Sequence, residues 1–323
     1  MNQQPDIVGI GVSVWDSVML VDVLPERGTV VRAKRHVEGI GGGITVAVAT
    51  AARLGSATAM IDSLGDDAAA TRILDVLTRE AVDTRCVVRQ TGHSSSLASI
   101  WSETQAAERT IVFSPGSACN RLQWTPQIEA LISGAKLLHL NGRHPEVCRR
   151  AIEVANASGA KVSFDGGAYR YRQEILPLLA TADIAIVARQ FAQSHYQRQR
   201  RSDSPKSSME LAEFLIQDLD CELVGVTDGA DGSSLVGRDG ARFHQQAISP
   251  ERAIDTTGCG DTYHGAFLHG YVRGLTIQQA ARLAAEVASD NARRLGGLAF
   301  DHTPFGSAHD GSDSPSSSGT TNP

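Results

Sequence analysis

Aromatic residues make up only 5% of this 323-residue chain. No apolar run approaches the about 20 residues that a membrane span requires. Basic residues are not in excess: 30 Lys and Arg stand against 36 Asp and Glu, a net charge of −6. That balance excludes a global positive field, and neither nucleic acid nor an acidic membrane is an expected partner. The five cysteines (Cys86, Cys119, Cys148, Cys221 and Cys259) are odd in number and scattered, with no Cys-x-x-Cys. The pattern argues against a zinc knuckle or a disulfide framework. Residues 1–10 lack a basic stretch followed by an apolar one, so no secretion signal is expected, and the chain reads as cytoplasmic with free thiols. Two nucleotide fingerprints are missing as well. Gly9-Ile-Gly11-Val-Ser-Val14 has two of the three glycines of the dinucleotide motif, and no Gly-x-x-x-x-Gly-Lys-Ser/Thr occurs.

Hydrophobic residues are present at 41%, enough for a large core. Short β-branched runs alternate with Ala/Leu-rich stretches, the pattern of an α/β fold with a mostly parallel sheet covered on both faces. Strands are expected at 7–14, 57–61, 135–140, 161–164, 183–187 and 221–227. Helices are expected at 45–54, 67–80, 145–158, 209–218, 262–273 and 277–295. Residues 17–38 and 87–114 alternate instead as half-exposed antiparallel strands and predict a small sheet covering a cleft. Residues 197–208 (QRQRRSDSPKSS) read as a charged surface loop. Residues 1–305 are expected to form one domain and 306–323, rich in Gly, Ser, Thr, Asp and Pro, a disordered tail.

The strongest chemical signal is Asp255-Thr-Thr-Gly-Cys-Gly-Asp261, running into a helix. Gly258 and Gly260 permit a turn whose amides are unobstructed, and the opening helix adds unpaired N–H donors and its positive dipole end. Such a point suits a phosphate or a developing anion. Asp261 at its rim is a carboxylate able to accept a proton from a hydroxyl; the plain alternative is a helix N-cap.

The segment DTTGCGDTYHGAF resembles the signature of the ribokinase-like, or PfkB-type, carbohydrate kinases, usually DTxGAGD followed by an aromatic and a small-residue helix. Gly41-Gly42-Gly43 before a small-residue helix, Leu64-Gly65-Asp66-Asp67, Pro115-Gly116 and Val226-Thr-Asp-Gly-Ala-Asp-Gly232 resemble further landmarks, in family order, over residues 6–298. The resemblance implies a ribokinase-like three-layer sandwich with a small β-sheet lid that is also a homodimer surface. It implies ATP-dependent phosphorylation of a sugar hydroxyl, with ATP and the sugar as partners. Asp261 matches the catalytic base, and Gly258, Cys259 and Gly260 the anion hole. Asp16, Gly42 and Gly43 match sugar-binding positions, and Thr227, Gly229 and Gly232 the turn along the nucleotide. Asp255 and Thr257 match ligands of a monovalent cation, K+ in some members, and Mg2+ would arrive with ATP.

The sequence also departs from the family pattern. Ile44-Thr45-Val46 replaces the usual Gly-Ala-Asn start, Ala188-Arg189-Gln190-Phe191 stands where Asn-x-x-Glu is expected, and Asp165-Gly166-Gly167 lacks the usual Asn. With the Tyr-His-Gly-Ala helix start and Arg143, these departures resemble sulfofructose-kinase-type members. In that reading Arg143, with Arg109 or Arg32, holds an anionic tail such as a sulfonate or phosphate. Three alternatives stay open at this point: a nucleoside kinase of the adenosine-kinase type, an NAD-dependent oxidoreductase, and a catalytically silent sugar-binding relative.

Overall fold

The computed structural model describes residues 4–104, 109–201 and 204–301; the expected tail at 306–323 and the boundary at 305 lie outside them. In chain order the elements are β1 (Ile7–Ile10), β2 (Val14–Val21), β3 (Arg35–Gly41), α1 (Gly43–Arg53), β4 (Thr58–Gly65), α2 (Ala68–Arg79), β5 (Asp83–Gln90), β6 (Ser96–Glu103) and β7 (Arg109–Ser114). There follow α3 (Pro126–Ser133), β8 (Leu137–Leu140), α4 (Pro145–Ser158), β9 (Lys161–Gly166), α5 (Leu176–Leu179), β10 (Ile184–Ala188), α6 (Arg189–Arg200) and α7 (Ser208–Asp218). The chain continues with β11 (Leu223–Thr227), β12 (Ser233–Gly237), β13 (Arg242–Gln245), α8 (Cys259–Val272) and α9 (Ile277–Ala292).

Nine strands form the large sheet, in the order β13-β12-β11-β10-β9-β8-β1-β4-β5. Pairing is parallel from β11 to β5 and antiparallel only at the β11-β12-β13 edge. Strands apolar on both faces must be covered twice. Val8, Ile10 and Phe164 pack under α3 to α7 through Ile128, Val147, Phe191 and Leu215. Ile7, Met60 and Ile186 pack under α1, α2, α8 and α9 through Val48, Ile73, Phe267 and Ala284. The three-layer α/β sandwich expected from the sequence is the observed fold. Helix α1 is small-sided for a reason: a Cβ at Gly265 of α8 would run into the Ala47 carbonyl of α1.

A second sheet, β3-β2-β6-β7, stands beside the first, with β2 and β6 parallel. Its inner face buries Val14, Val18, Leu20, Ala98 and Ile100 against Val12, Cys119 and Leu295. All six residues of the edge strand β7 are exposed.

Some boundaries differ from expectation. The first strand ends at Ile10, because the Ser13 amide donates to Asp62 Oδ2 at 2.7 Å and turns the chain into β2. Residues 83–90 pair with β4, so the small sheet's second segment starts at Ser96 rather than at 87. Helix α6 runs into the expected loop as far as Arg200, held by Tyr171 and Tyr196, which bring α6 against its neighbours. Residues 105–108 of the second segment and 202–203 of the charged stretch lie outside the described residues.

Candidate active site

Parallel pairing brings the C-terminal ends of β1, β8, β9, β10 and β11 to one edge, where open α/β sheets bind ligands. Asp16 of β2, Asp165 of β9 and the N-terminus of α8 all meet there.

The turn into α8 is built around Gly258, the N-cap, at φ 72. A Cβ there would be strained and would overlap the Gly297 carbonyl. No side chain caps the helix, and above Gly260 a Cβ would meet nothing within 4 Å. Among the first-turn amides that of Cys259 donates to the Thr256 carbonyl at 3.3 Å, and the space beside Gly260 is open. Asp261 is the third helical residue and not the N-cap, which removes the capping alternative. Among the described residues its carboxylate makes no hydrogen bond. Burial pushes its pKa up, as does Asp165, while Arg170, His264 and Arg109 oppose the rise.

Below the turn, buried Asp255 accepts from the Thr257 amide (3.0 Å), the Thr257 hydroxyl (2.7 Å) and the Gly296 amide (2.9 Å). Asn291 of α9 donates to the Thr257 carbonyl at 2.9 Å and accepts from the Ala299 amide at 2.7 Å. Asp255 and Thr257 are thus engaged with each other and with the neighbouring loop. Burial pushes the Cys259 thiol up to about 11, so it stays protonated at neutral pH.

On the facing side, the Asp16 carboxylate lies against Gly41, where a Cβ would overlap it. Burial, followed by the charges of Asp261 and Asp255, raises Asp16 to about 7. Gly42 turns the chain at φ 92. A Cβ on Gly43 would meet Asp261 Oδ1 at 2.9 Å, Arg170 Nη1 at 3.0 Å and Asp165 Oδ2 at 3.1 Å. Three charged side chains, two from β9 and the loop after it and one from α8, therefore converge on one glycine. Asp165 accepts from Arg170 Nη1 at 3.3 Å and faces His264 Nε2 at 3.4 Å. Burial lowers His264 to about 4 and its neighbour His139 to about 3, so both imidazoles are neutral at pH 7.

Arg143 follows β8, with its guanidinium 5.6 Å from the Phe113 ring centroid on the small sheet. Burial lowers its pKa, and the charges of Arg172 and Arg170 lower it further. Among the described residues no carboxylate pairs with Arg143 or Arg172. Arg109 instead donates to the Thr256 hydroxyl at 2.8 Å, and Arg32 is exposed on the approach to β3.

Thr227, Gly229 and Gly232 border the end of β11, on the far side of Asp165. Thr227 Oγ1 lies 3.5 Å from the Val187 carbonyl. Ser233, next to Gly232, hydrogen-bonds Tyr263 of α8 at 2.8 Å, which couples this turn to the α8 entrance. Arg189, within the Ala188-Arg189-Gln190-Phe191 stretch that stands where Asn-x-x-Glu is expected, lies 3.5 Å from Asp228.

Residues 6–303 match the pfkB family carbohydrate kinase profile. The chain belongs to the PfkB family of carbohydrate kinases. It is accordingly a phosphotransferase with a hydroxyl acceptor, not an oxidoreductase. A nucleoside kinase from Methanothermobacter thermautotrophicus is 24% identical over 90% of either chain. An ATP-dependent 6-phosphofructokinase from Thermoanaerobacterium thermosaccharolyticum is 24% identical over 76% of either chain. The structure of Arabidopsis thaliana ribokinase complexed with ribose and ATP superposes with a TM-score of 0.77 at 21% identity, covering 93% of this chain and 97% of that one. Among the described residues no helix is long and apolar enough to cross a membrane.

Within this PfkB-family site, sequence reasoning missed Gly41, Arg170, His264's contact with Asp165, and Asn291. Gly41 stands inside the triple-glycine run, but only the fold shows that it is the one facing Asp16. Arg170 lies five residues past Asp165, a spacing that single-sequence reading does not tie to Asp261. His144, which follows Arg143, hydrogen-bonds the Gly11 carbonyl at 3.1 Å and Asp62 at 3.3 Å.

Proposed function

We propose that this PfkB-family protein transfers the γ-phosphoryl group of ATP to a hydroxyl of a sugar that carries an anionic group. The observation that carries this reading is the uncapped N-terminus of α8 beside Asp261, a half-buried carboxylate with no hydrogen bond of its own among the described residues. MgATP supplies the phosphoryl group. The amides of Gly258, Cys259 and Gly260 hold its oxygens as charge develops, and Asp261 accepts the proton of the acceptor hydroxyl. Asp16, Gly42 and Gly43 hold the sugar, and Thr227, Gly229 and Gly232 lie along the nucleotide.

Arg143 and Arg172 supply the reason for an anionic sugar. Two guanidinium groups that repel each other and lack carboxylate partners favour a doubly anionic or bidentate oxyanion such as a sulfonate or phosphate. A nucleoside offers no such charge. The relative named as a 6-phosphofructokinase agrees with this preference.

Among the described residues no group of three or more His, Cys, Asp or Glu could hold a metal ion. Mg2+ therefore fits here as an ion carried on phosphates and waters. A monovalent cation fits less well, because Asp255 and Thr257 already bond each other and the 296 loop. The exposed β7 edge, with Ile111, Val112 and Phe113, is the proposed contact with a second copy of the chain.

The test is ADP release across ketose phosphates, ketose sulfonates, neutral sugars and nucleosides. The reading expects the anionic ketoses to give the highest kcat/KM. A nucleoside as the best substrate overturns the sugar assignment, and a neutral sugar overturns the anionic one.

A further inference from the structure

We propose that Arg170, anchored by Asp165, is a positioning residue that keeps the Asp261 carboxylate ionised and ready to accept a proton. This rests on the reading of Asp261 as the general base.

The need for such a device follows from the surroundings of Asp261. It faces Asp165 from β9, Asp16 from β2, and Cys259 and His264 from its own helix, while α1 presents only Gly43. Burial among two other carboxylates favours the protonated acid, which cannot act as a base. His264 brings no full charge at neutral pH, since burial holds it neutral. Two cations remain, Arg170 and Arg109. Arg109 starts the exposed strand β7 and is turned to the Thr256 hydroxyl at 2.8 Å. Arg170 Nη1 and Asp261 Oδ1 both lie within about 3 Å of the position a Gly43 Cβ would take, and Arg170 opposes the rise in Asp261 more strongly than Arg109 does.

The arrangement of Arg170 suits influence at a distance. No ion pair or hydrogen bond joins it to Asp261 among the described residues. Its bond goes to Asp165 Oδ2 at 3.3 Å, while Asp165 Oδ1 faces His264 Nε2 at 3.4 Å. The loop bearing it is anchored at the next residue, where the Tyr171 hydroxyl meets His195 at 3.2 Å and His195 in turn meets Asp218 at 2.8 Å. A direct ion pair would occupy the lone pairs that the acceptor hydroxyl needs. A guanidinium fixed one step away favours the ionised base and leaves those lone pairs available.

The experiment is the pH dependence of kcat/KM for wild type, Arg170→Met and Arg170→Lys, with Asp261→Asn alongside. A nearby opposite charge lowers a carboxylate by about 1–3 pH units, so Arg170→Met is expected to move the acid limb up by about one unit or more. Activity should return toward the wild-type value at high pH with the sugar KM little changed. Arg170→Lys keeps the charge and should move the limb by less than half as much. A rate that falls equally at every pH in Arg170→Met, with the limb unmoved, overturns the proposal and makes Arg170 a group that touches substrate. A rise in KM alone does the same. The two readings separate cleanly: substantial turnover by Asp261→Asn removes the general-base assignment itself, whereas an inactive Asp261→Asn with an unmoved Arg170→Met limb removes only the role of Arg170.

Discussion

The turn that opens α8 and the small four-stranded sheet border the same cleft, yet they are held by opposite means. The turn is locked by buried polar bonds: Asp255, Thr257, Asn291 and the amides near Gly296 satisfy one another almost without solvent. The small sheet is held by strand pairing and one apolar face, and its β7 edge leaves Val112 58% exposed. Polar groups in a dry setting have few alternative partners, so their geometry is narrow. An apolar face with an open edge tolerates displacement and invites a partner. Under the proposed function, the first device would fix the amides at the transferring phosphoryl group and the second would admit the substrate.

The sharpest way to break the comparison is at Asp261. Asp261→Asn should lower kcat by about 10²–10⁴ with an unchanged melting temperature or a raised one, since a half-buried charge near Asp165 and Asp16 is removed. Steady-state kinetics with MgATP and a substrate found in the panel reads this directly. Next comes Asn291→Ala, which strands the Thr257 carbonyl and the Ala299 amide and should cost about 1–3 kcal/mol for each group left unpaired. Denaturant titration measures the loss, and kcat should fall with it, because the turn above loosens. If Asn291→Ala kept full stability and rate, the turn would not be the rigid partner in the comparison.

Asp16 tests the small sheet's own contribution of charge. Burial and two neighbouring carboxylates raise it to about 7, against an unfolded value of about 4. Between those values the folded chain holds a proton that the unfolded chain has released, so stability from this group falls as pH rises from about 4 to 7. Asp16→Asn should therefore melt higher than wild type at pH 8, with the gap closing toward pH 4. A gap independent of pH would contradict the raised value. The smallest effect is expected from Val112→Lys, which should leave the fold and melting temperature nearly unchanged while turning a dimer into a monomer by light scattering. An unchanged mass there removes the proposed edge contact.

These regions also differ in how readable they were. The α8 entrance could be read because its glycines and Asp261 lie in one contiguous string with local consequences. Helix α4 was bounded to the residue, as Pro145 opens it and Gly159 closes it in the left-handed conformation. The limits of the small sheet were harder to read. Strand β5 is exposed or half-buried except at Cys86, whereas β6 alternates, and so wet a strand does not say which sheet it joins. Arg170 beside Asp261 was unreadable for a different reason, since its place depends on β9, α1 and α8 meeting at Gly43. Contacts among three distant segments leave no periodic trace in the chain.

The parallel pairing of β2 with β6 carries a consequence for how the molecule assembles. Val14 sits beside Ser96, so the β2–β3 hairpin waits for the whole β4–α2–β5 segment before its neighbour arrives. Asp67, which caps α2 and also accepts from the Ser95 amide at 2.7 Å, ties the completion of that segment to the launch of β6. Such non-local pairing forms slowly, because a long loop must close first. The small sheet consequently cannot be completed until β4, α2 and β5 are in place, so its assembly depends on part of the large sheet it stands beside.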